Sequence, residues 1–248
     1  MSPPLTETTS EHGGLPVVSV GPPAGEPVEA AALLCHGFGA PGTDLVGLGA
    51  ELFRRRPALA GRVRLHFPAA PLDLGPMGMA GGRAWWLFQL SDFGLPPEKR
   101  SARLRAERPP KVEELRALID SVADSLLTSD GLPSGSLVVG GFSQGAMLMT
   151  DYALRHVDRE LGGLAVFSGA YAAETDWRPW ASDCPTRSVY LSHGRQDGIL
   201  PFAGAADLRD MLAEAGHEVR FEAFDGSHTI PPCALDGLGD LLEAACGG

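Results

Sequence analysis

The stretch SLVVGGFSQGAML, from Ser136 to Leu148, decides how this chain folds. It begins as an apolar run, breaks at Gly140–Gly141, and continues with residues that favour helices. The pattern predicts a strand, a sharp turn and a helix, with Ser143 on the turn. A G-x-S-x-G pentapeptide in this setting is typical of a nucleophile elbow, in which a strained turn presents the serine hydroxyl at the carboxyl end of a sheet. The alternative is a simple glycine turn at the start of a helix.

Segments on both sides of this stretch alternate between strand and helix patterns. Upstream, LPVVSV, VEAAALLCHG and RVRLHFPAAP have the length and apolar character of strands. Downstream of residue 109, helical segments of 12 or more residues alternate with apolar runs of strand length. Such alternation predicts an α/β fold with a mostly parallel central sheet and helices on both of its faces.

Composition suits a globular protein and argues against one class of partner. The chain has 248 residues, of which 44% are hydrophobic, enough to bury a sizeable core. With 20 Lys and Arg against 31 Asp and Glu, the formal net charge is -11, so we expect no binding to nucleic acid. Residues 1–14 are rich in Pro, Thr, Ser and Gly and predict a disordered tail. We expect residues 15–248 to form a single domain.

The cysteine spacing and the N-terminal residues give an expectation for the cellular location of the protein. None of the four cysteines forms a CxxC pair or has zinc-finger spacing with histidine, so we expect reduced thiols and no metal site. The N-terminal residues lack the basic and apolar regions of a signal peptide, and no run approaches the roughly 18 apolar residues of a transmembrane helix. These features predict a cytoplasmic protein with no integral membrane association.

Serine is a poor nucleophile unless a base and an orienting acid activate it. Among the seven histidines, His228 fits best, because it lies in FDGSHTIPP, between the last predicted strand and the last predicted helix. Two aspartates are candidates for the acid. Asp197, in LSHGRQDGILP, gives the chain order Ser, Asp, His that accompanies a nucleophile elbow. Asp225 lies three residues before His228 and could instead shape its own turn.

Acyl transfer also needs hydrogen-bond donors for a developing oxyanion. The turn supplies one donor, the backbone N–H of Gln144. The loop LLCHGFGAPG follows an early strand, and its turn would present the backbone N–H of Phe38 towards Ser143. The alternative is that this loop is only a glycine turn at the end of a strand.

Five segments together resemble the phospholipase/carboxylesterase family, an α/β-hydrolase group that includes acyl-protein thioesterases and bacterial carboxylesterases. They are LLCHGFGA, RAWW, GGFSQGAM, LSHGRQDGILP and GSHTIP, in the family's order, within about residues 30–246. The resemblance implies an α/β-hydrolase fold and a serine hydrolase that cleaves small-molecule carboxylic esters, thioesters or lysophospholipids without a cofactor. It marks Ser143, Asp197 and His228 as the catalytic triad.

The same resemblance marks Phe38 and Gln144 as the oxyanion donors. This chain departs from the family where Gly39 is followed by Ala40 and Pro41, since an aspartate commonly stands after HG-x-G. Two other classes stay open, an acyltransferase on the same scaffold and a non-catalytic binding protein with a hydrolase fold.

The segment from residue 72 to 108 lacks regular patterning and is a candidate for the substrate pocket. Trp85 and Trp86, with Met77 and Met79, could line a pocket for an acyl chain. The alternative is that one tryptophan packs in the core and only the other meets substrate. The basic run at residues 97–108 is either a solvated loop or short helix, or a lid over the site.

Overall fold

The computed structural model describes residues 5–88 and 94–247, and its centre is an eight-stranded sheet. The strands of this sheet are β1 (Thr6–His12), β2 (Leu15–Gly21), β3 (Ala30–Cys35), β4 (Val63–Pro68), β7 (Leu137–Phe142), β8 (Gly163–Phe167), β9 (Ser188–Gly194) and β10 (Glu218–Phe224). Two short strands, β5 (Leu72–Asp73) and β6 (Arg83–Ala84), pair separately. The helices are α1 (Gly47–Arg55), α2 (Pro97–Ala106), α3 (Val112–Asp130), α4 (Gln144–Arg155), α5 (Glu174–Asp183), α6 (Phe202–Glu214) and α7 (Pro232–Ala245).

The sheet is mostly parallel, as the sequence predicts. Its strand order is β1-β2-β4-β3-β7-β8-β9-β10. All neighbours from β4 to β10 run parallel, whereas β2 is antiparallel to both β1 and β4. Because parallel strands end at the same edge of a sheet, the loops after β3, β7, β9 and β10 converge there.

Helices cover both faces of the sheet. Successive side chains of a strand point to opposite faces, and β3 shows this directly. Leu33 belongs to a hydrophobic cluster that contains residues of α3, α4, α5 and α6. Its neighbour Leu34 belongs to a second cluster, formed with residues of α1 and α7. The predicted α/β architecture is confirmed.

The N-terminal segment is a strand, not the disordered tail that its composition predicts. Residues Thr6–His12 form β1, which pairs antiparallel with β2 from Thr6 opposite Gly21 to His12 opposite Leu15. The connecting residues Gly13 and Gly14 both have positive φ, 58° and 88°, as a tight two-residue hairpin turn requires. As an edge strand, β1 is mostly exposed, so its polar composition looks like that of a disordered segment. Residues 1–4 lie outside the described residues.

The basic segment forms a helix next to α5 and α6. This helix, α2, spans Pro97–Ala106, so the segment is a short helix, and its predicted role as a lid over the site stays a prediction. Helix α5 was not predicted, because Pro179 interrupts its pattern. None of the helices in the described part of the chain combines the length and apolar character needed to cross a membrane.

Candidate active site

Ser143 lies on the turn between β7 and α4, in a backbone conformation that is rare for residues other than glycine, with φ 54° and ψ -115°. A Cβ atom at Gly141 would lie 2.4 Å from the carbonyl oxygen of Cys35, and one at Gly145 would lie 2.0 Å from it. Only glycine fits at these two positions, because β3 passes so close to the turn. Helix α4 begins at Gln144, so its positive end lies beside the serine. The predicted strand–turn–helix arrangement is confirmed.

The structure brings His228 to Asp197. Nδ1 of His228 lies 2.6 Å from Oδ2 of Asp197. The other carboxylate oxygen, Oδ1, accepts hydrogen bonds of 2.8 Å from the amides of Ile199 and Leu200. Asp225 points elsewhere, since its side chain is 85% exposed. Of the two acids that the sequence leaves open, the geometry therefore favours Asp197.

A second histidine contacts the same carboxylate, and sequence reasoning missed it. His193 is buried at the end of β9, with Nε2 2.8 Å from the Leu200 carbonyl oxygen and 3.2 Å from Asp197 Oδ2. Both neighbours are acceptors, so Nε2 must carry the proton. The one sequence signal for this contact is the position of His193 in SHG, four residues before Asp197.

The surroundings of Asp197 keep its carboxylate ionised. Burial is the largest influence and acts to raise the pKa of Asp197. Hydrogen bonds from His193, His228 and the Leu200 amide, together with the charge of His228, outweigh burial and hold this pKa well below its usual range. A carboxylate that stays ionised can fix the orientation of an imidazole and stabilise its protonated form.

Ser143 and His228 line one cavity of about 480 Å³ at the carboxyl edge of the sheet. Nδ1 of His228 is engaged by Asp197, so Nε2 is the nitrogen left for the serine proton. Between these two described side chains no hydrogen bond is present, and such bonds often tighten only when substrate binds. The Phe142 ring packs 4.7 Å from the His228 ring and steadies it.

Two backbone amides beside Ser143 are available as donors. The neighbouring amides are occupied: that of Gly39 donates to the Arg83 carbonyl at 2.9 Å, and that of Ser143 to the Phe167 carbonyl at 2.9 Å. Within the described part of the chain, no hydrogen bond engages the amide of Phe38 or of Gln144. These are the two amides that the sequence predicts as oxyanion donors.

The side chain of Gln144 fixes the tryptophan segment against the site. Its Oε1 accepts a hydrogen bond from the Trp85 amide at 3.0 Å, and its Nε2 donates to the Trp86 carbonyl at 2.8 Å. The indole of Trp85 donates to the His36 carbonyl at 2.9 Å, and the His36 ring accepts from the Ala70 amide at 3.1 Å. Burial lowers the pKa of His36, which favours the neutral ring that this contact needs. The network therefore fixes the start of the loop that carries Phe38.

The cavity includes one of the four residues that the sequence suggests for a substrate pocket. Trp86 lines the cavity, but Trp85 is buried behind it and serves the network just described. This placement agrees with the predicted alternative in which one tryptophan packs in the core, and contact of Trp86 with substrate stays a prediction. Neither Met77, which is 47% exposed, nor Met79 is among the described lining residues. Their place is taken by apolar side chains from other segments: Phe38, Leu87, Phe88, Leu104, Phe142, Met147, Ile199 and Leu200.

Other reactive groups stand apart from this cavity. The four cysteines are free, and burial raises the pKa of the Cys35 thiol well above its usual range, so it stays protonated. Over residues 5–88 and 94–247, no group of three or more His, Cys, Asp or Glu side chains could hold a metal ion. The expectation that the chain needs neither metal nor cofactor stays a prediction.

Comparisons with known proteins identify the family of this chain. The sequence profile of the phospholipase/carboxylesterase family matches residues 19–245. An acyl-protein thioesterase 1 from Eremothecium gossypii is 32% identical over 230 residues, which span 88% of this chain and 89% of that protein.

Solved structures share the fold. The structure of esterase PE8 superposes with a TM-score of 0.73 at 24% identity, covering 96% of this chain and 98% of its own. The structure of a carboxylesterase from Mesorhizobium loti has a TM-score of 0.72 at 18% identity, covering 98% and 99% of the two chains. At these sequence identities the superpositions show only that the fold is shared.

Proposed function

The chain belongs to the phospholipase/carboxylesterase family and is a carboxylesterase-type hydrolase, and we propose that it cleaves esters through an acyl-enzyme on Ser143. One observation carries the proposal. Ser143, on a strained turn, shares a cavity with His228, whose ring is held at 2.6 Å by the buried carboxylate of Asp197. Nucleophile, base and orienting acid are the three parts that activate a serine.

In the first half of the reaction, Nε2 of His228 takes the proton of the Ser143 hydroxyl while Oγ attacks the acyl carbon. Negative charge develops on the former carbonyl oxygen, and the amides of Phe38 and Gln144 donate to it. Asp197 stabilises the imidazolium through Nδ1. The tetrahedral intermediate collapses, the proton passes from His228 to the leaving alcohol or thiol, and the acyl group stays on Ser143.

In the second half, water takes the place of the leaving group. His228 removes a proton from this water, which attacks the acyl carbon of the acyl-enzyme. The same two amides stabilise the second oxyanion. Collapse returns the proton to Ser143 and releases a carboxylic acid, so that one water is consumed for each ester bond cleaved.

The apolar lining of the cavity supports an acyl chain as the bound part of the substrate. Side chains such as Trp86, Leu104 and Met147 offer hydrocarbon and aromatic surface next to the serine. The relative from Eremothecium gossypii is named as an acyl-protein thioesterase, which supports thioesters as well as oxygen esters as substrates.

Hydrolysis of p-nitrophenyl esters and of matched thioesters by the purified protein tests this proposal. We expect Ser143→Ala to lower kcat by roughly 10³-fold to 10⁶-fold, because the oxyanion donors and substrate binding leave only a residual rate. Ser182→Ala, at an exposed position on α5, is the matched control and should keep wild-type rates. Wild-type turnover by Ser143→Ala would overturn the assignment of the nucleophile.

A further inference from the structure

Ser168, the residue that directly follows β8, has an unusual backbone conformation. Its φ is 48°, in the left-handed region that favours glycine. Most residues with positive φ in the described part of the chain are glycines, and Ser143 is among the four that are not, together with Ser168. A glycine would adopt this conformation without strain, so the presence of a side chain at position 168 requires an explanation.

The side chain of Ser168 holds the loop that carries His228. Its hydroxyl donates a hydrogen bond of 2.9 Å to the carbonyl oxygen of Thr229, the residue after His228. Ser168 is fully buried and is not among the described residues that line the cavity, so this hydroxyl acts on the loop from behind the site.

The His228 loop depends on contacts of this kind because residues 225–229 form neither helix nor strand. On the N-terminal side of His228, the amide of Gln196 donates to the Gly226 carbonyl at 3.0 Å. The bond from Ser168 fixes the loop on the C-terminal side. The backbone around the histidine is therefore held from both directions.

The end of β8 also contacts the segments of the other two triad residues. The Phe167 carbonyl accepts a hydrogen bond of 2.9 Å from the amide of Ser143. The amide of Ser168 donates at 2.8 Å to the carbonyl of Ser192, in the strand that leads to Asp197. Two consecutive residues thus contact the segments that carry the nucleophile, the acid and the base.

We propose that Ser168 is a positioning residue, whose hydroxyl holds His228 where Nε2 can accept the proton of Ser143. The inference rests on the proposed function of Ser143 and adds a residue to the machinery of that site. Proton transfer depends steeply on geometry, so a small displacement of the base lowers the rate by a large factor. A serine that only satisfied a buried carbonyl would affect stability and leave the rate per folded molecule unchanged.

Two substitutions at position 168 separate the hydroxyl from the strained backbone. Ser168→Gly removes the hydroxyl and relieves the strain, whereas Ser168→Ala removes the hydroxyl and keeps the strain. We expect both to lower kcat on a p-nitrophenyl ester by about five- to twentyfold, with KM within about twofold of wild type. Urea unfolding should show Ser168→Ala to be the less stable of the two. Wild-type kcat in both variants overturns the proposal.

Thr150→Val is the matched control. The Thr150 hydroxyl is equally buried and also donates at 2.9 Å to a backbone carbonyl, that of Ala146, but this bond lies within α4. Thr150→Val should therefore keep wild-type kcat, whatever its unfolding midpoint. If kcat follows the midpoint across Thr150→Val, Ser168→Gly and Ser168→Ala, Ser168 is merely structural and the proposal is wrong.

A double-mutant cycle shows whether Ser168 acts through His228. We expect His228→Ala and the double variant Ser168→Gly/His228→Ala to share one residual rate, because the hydroxyl has no base left to position. A further five- to twentyfold loss in the double variant would mean that Ser168 acts on the rate by another route, and would overturn the proposal.

Hydrogen exchange tests the same contact without any turnover. In Ser168→Gly, peptides that cover residues 225–231 should exchange their amide hydrogens at least about threefold faster than in wild type, while those of β7 keep wild-type rates. Unchanged exchange in the loop contradicts the proposal. Circular dichroism establishes that each variant is folded, and Ser168→Gly still tests the hydroxyl if the strained Ser168→Ala is not.

Failure of this inference is distinguishable from failure of the proposed function. If His228→Ala keeps wild-type turnover, the proposed serine mechanism is itself wrong. If His228→Ala is inactive while Ser168→Gly and Ser168→Ala turn over at wild-type rates, only the role of Ser168 is wrong.

Discussion

At the scale of single residues, the buried Asp197 carboxylate is the feature that separates two possible acids. It contacts His228 at 2.6 Å, whereas Asp225 is 85% exposed. We expect Asp197→Asn to lower kcat by up to about 10⁴-fold, because a neutral amide neither stabilises the imidazolium nor fixes the ring proton. Asp225→Asn should retain wild-type kcat. Steady-state kinetics on one ester measure kcat for both variants. An inactive Asp225→Asn together with an active Asp197→Asn would refute the assignment of Asp197.

His193 gives a second prediction at this scale, as a positioning residue that acts through Asp197. Its Nε2–H contacts both Asp197 and the Leu200 carbonyl, and a hydrogen bond to a charged group is worth about 1.5–3 kcal/mol. We expect His193→Leu to lower kcat about tenfold or more with little change in KM. His193→Gln, which can supply an N–H at a similar distance, should restore part of the loss.

The pH profile separates this role from a purely structural one. The hydrogen bond from His193 is one of the contacts that lower the pKa of Asp197, so this pKa should rise in His193→Leu. The acid limb of kcat/KM should therefore move to higher pH in His193→Leu. An unmoved limb, with a lower rate at every pH, would show that His193 only maintains the fold.

The Ser143 turn and the loop of His228 could be predicted from sequence, because each has a recognisable local pattern and lies at the expected place in the chain order. The side-chain contacts of Gln144 with the tryptophan segment were out of reach, since they join positions 58 and 59 residues apart. Nothing local distinguishes Trp85, which packs, from Trp86, which lines the cavity.

At the scale of elements, Asp120 joins α3 to the end of α4. It accepts hydrogen bonds from Arg155 and, at 2.9 Å, from His156. Burial is the largest influence and acts to raise the pKa of Asp120, but these hydrogen bonds outweigh it and lower the pKa to about 2. A carboxyl whose pKa is lower folded than unfolded stabilises the fold above its unfolded pKa, near 4, and this stabilisation disappears as pH falls towards 2.

The resulting prediction concerns acid stability. We expect about 1–2 kcal/mol of the unfolding free energy to be lost between pH 5 and pH 2 through Asp120, allowing for solvent screening of this partly exposed group. Asp120→Asn should be less stable than wild type at pH 5 and should lose that much less on acidification. Urea unfolding at several pH values measures both, with the exposed Asp225→Asn as control. An equal decline in Asp120→Asn and wild type would contradict the assignment.

Helices and strands could be predicted from sequence where they are buried, because burial makes apolar residues recur with the period of the helix or strand. The strands of the sheet centre and the helices that cover it carry long apolar patterns, so their positions follow from sequence. The positions of edge strands and surface helices do not follow from sequence in this way. The exposed strand β1 has the polar composition of a tail, and α2 is rich in charged residues and buries only Ser101 among its described residues.

At the scale of the whole molecule, the fold and the family are settled by the sheet topology and by the family match over residues 19–245. The formal net charge of -11 underlies the prediction of no nucleic-acid partner, and both this and the cytoplasmic location stay predictions. Hydrolysis and acyl transfer share the acyl-enzyme, so they differ only in what attacks it. Adding alcohols during turnover and measuring the ratio of new ester to acid separates the two.

The most direct test of the account is covalent labelling with a fluorophosphonate, followed by mass spectrometry of the peptides. We predict one adduct per chain, on Ser143, and none in Ser143→Ala, because only a serine with an activating base displaces the fluoride rapidly. Ser19 is an internal comparison, since its hydroxyl also lies 2.8 Å from a histidine nitrogen, on His66, but outside the catalytic cavity. Hydrolysis of esters by a chain that carries no adduct on Ser143, or whose adduct lies on Ser19, would contradict the account.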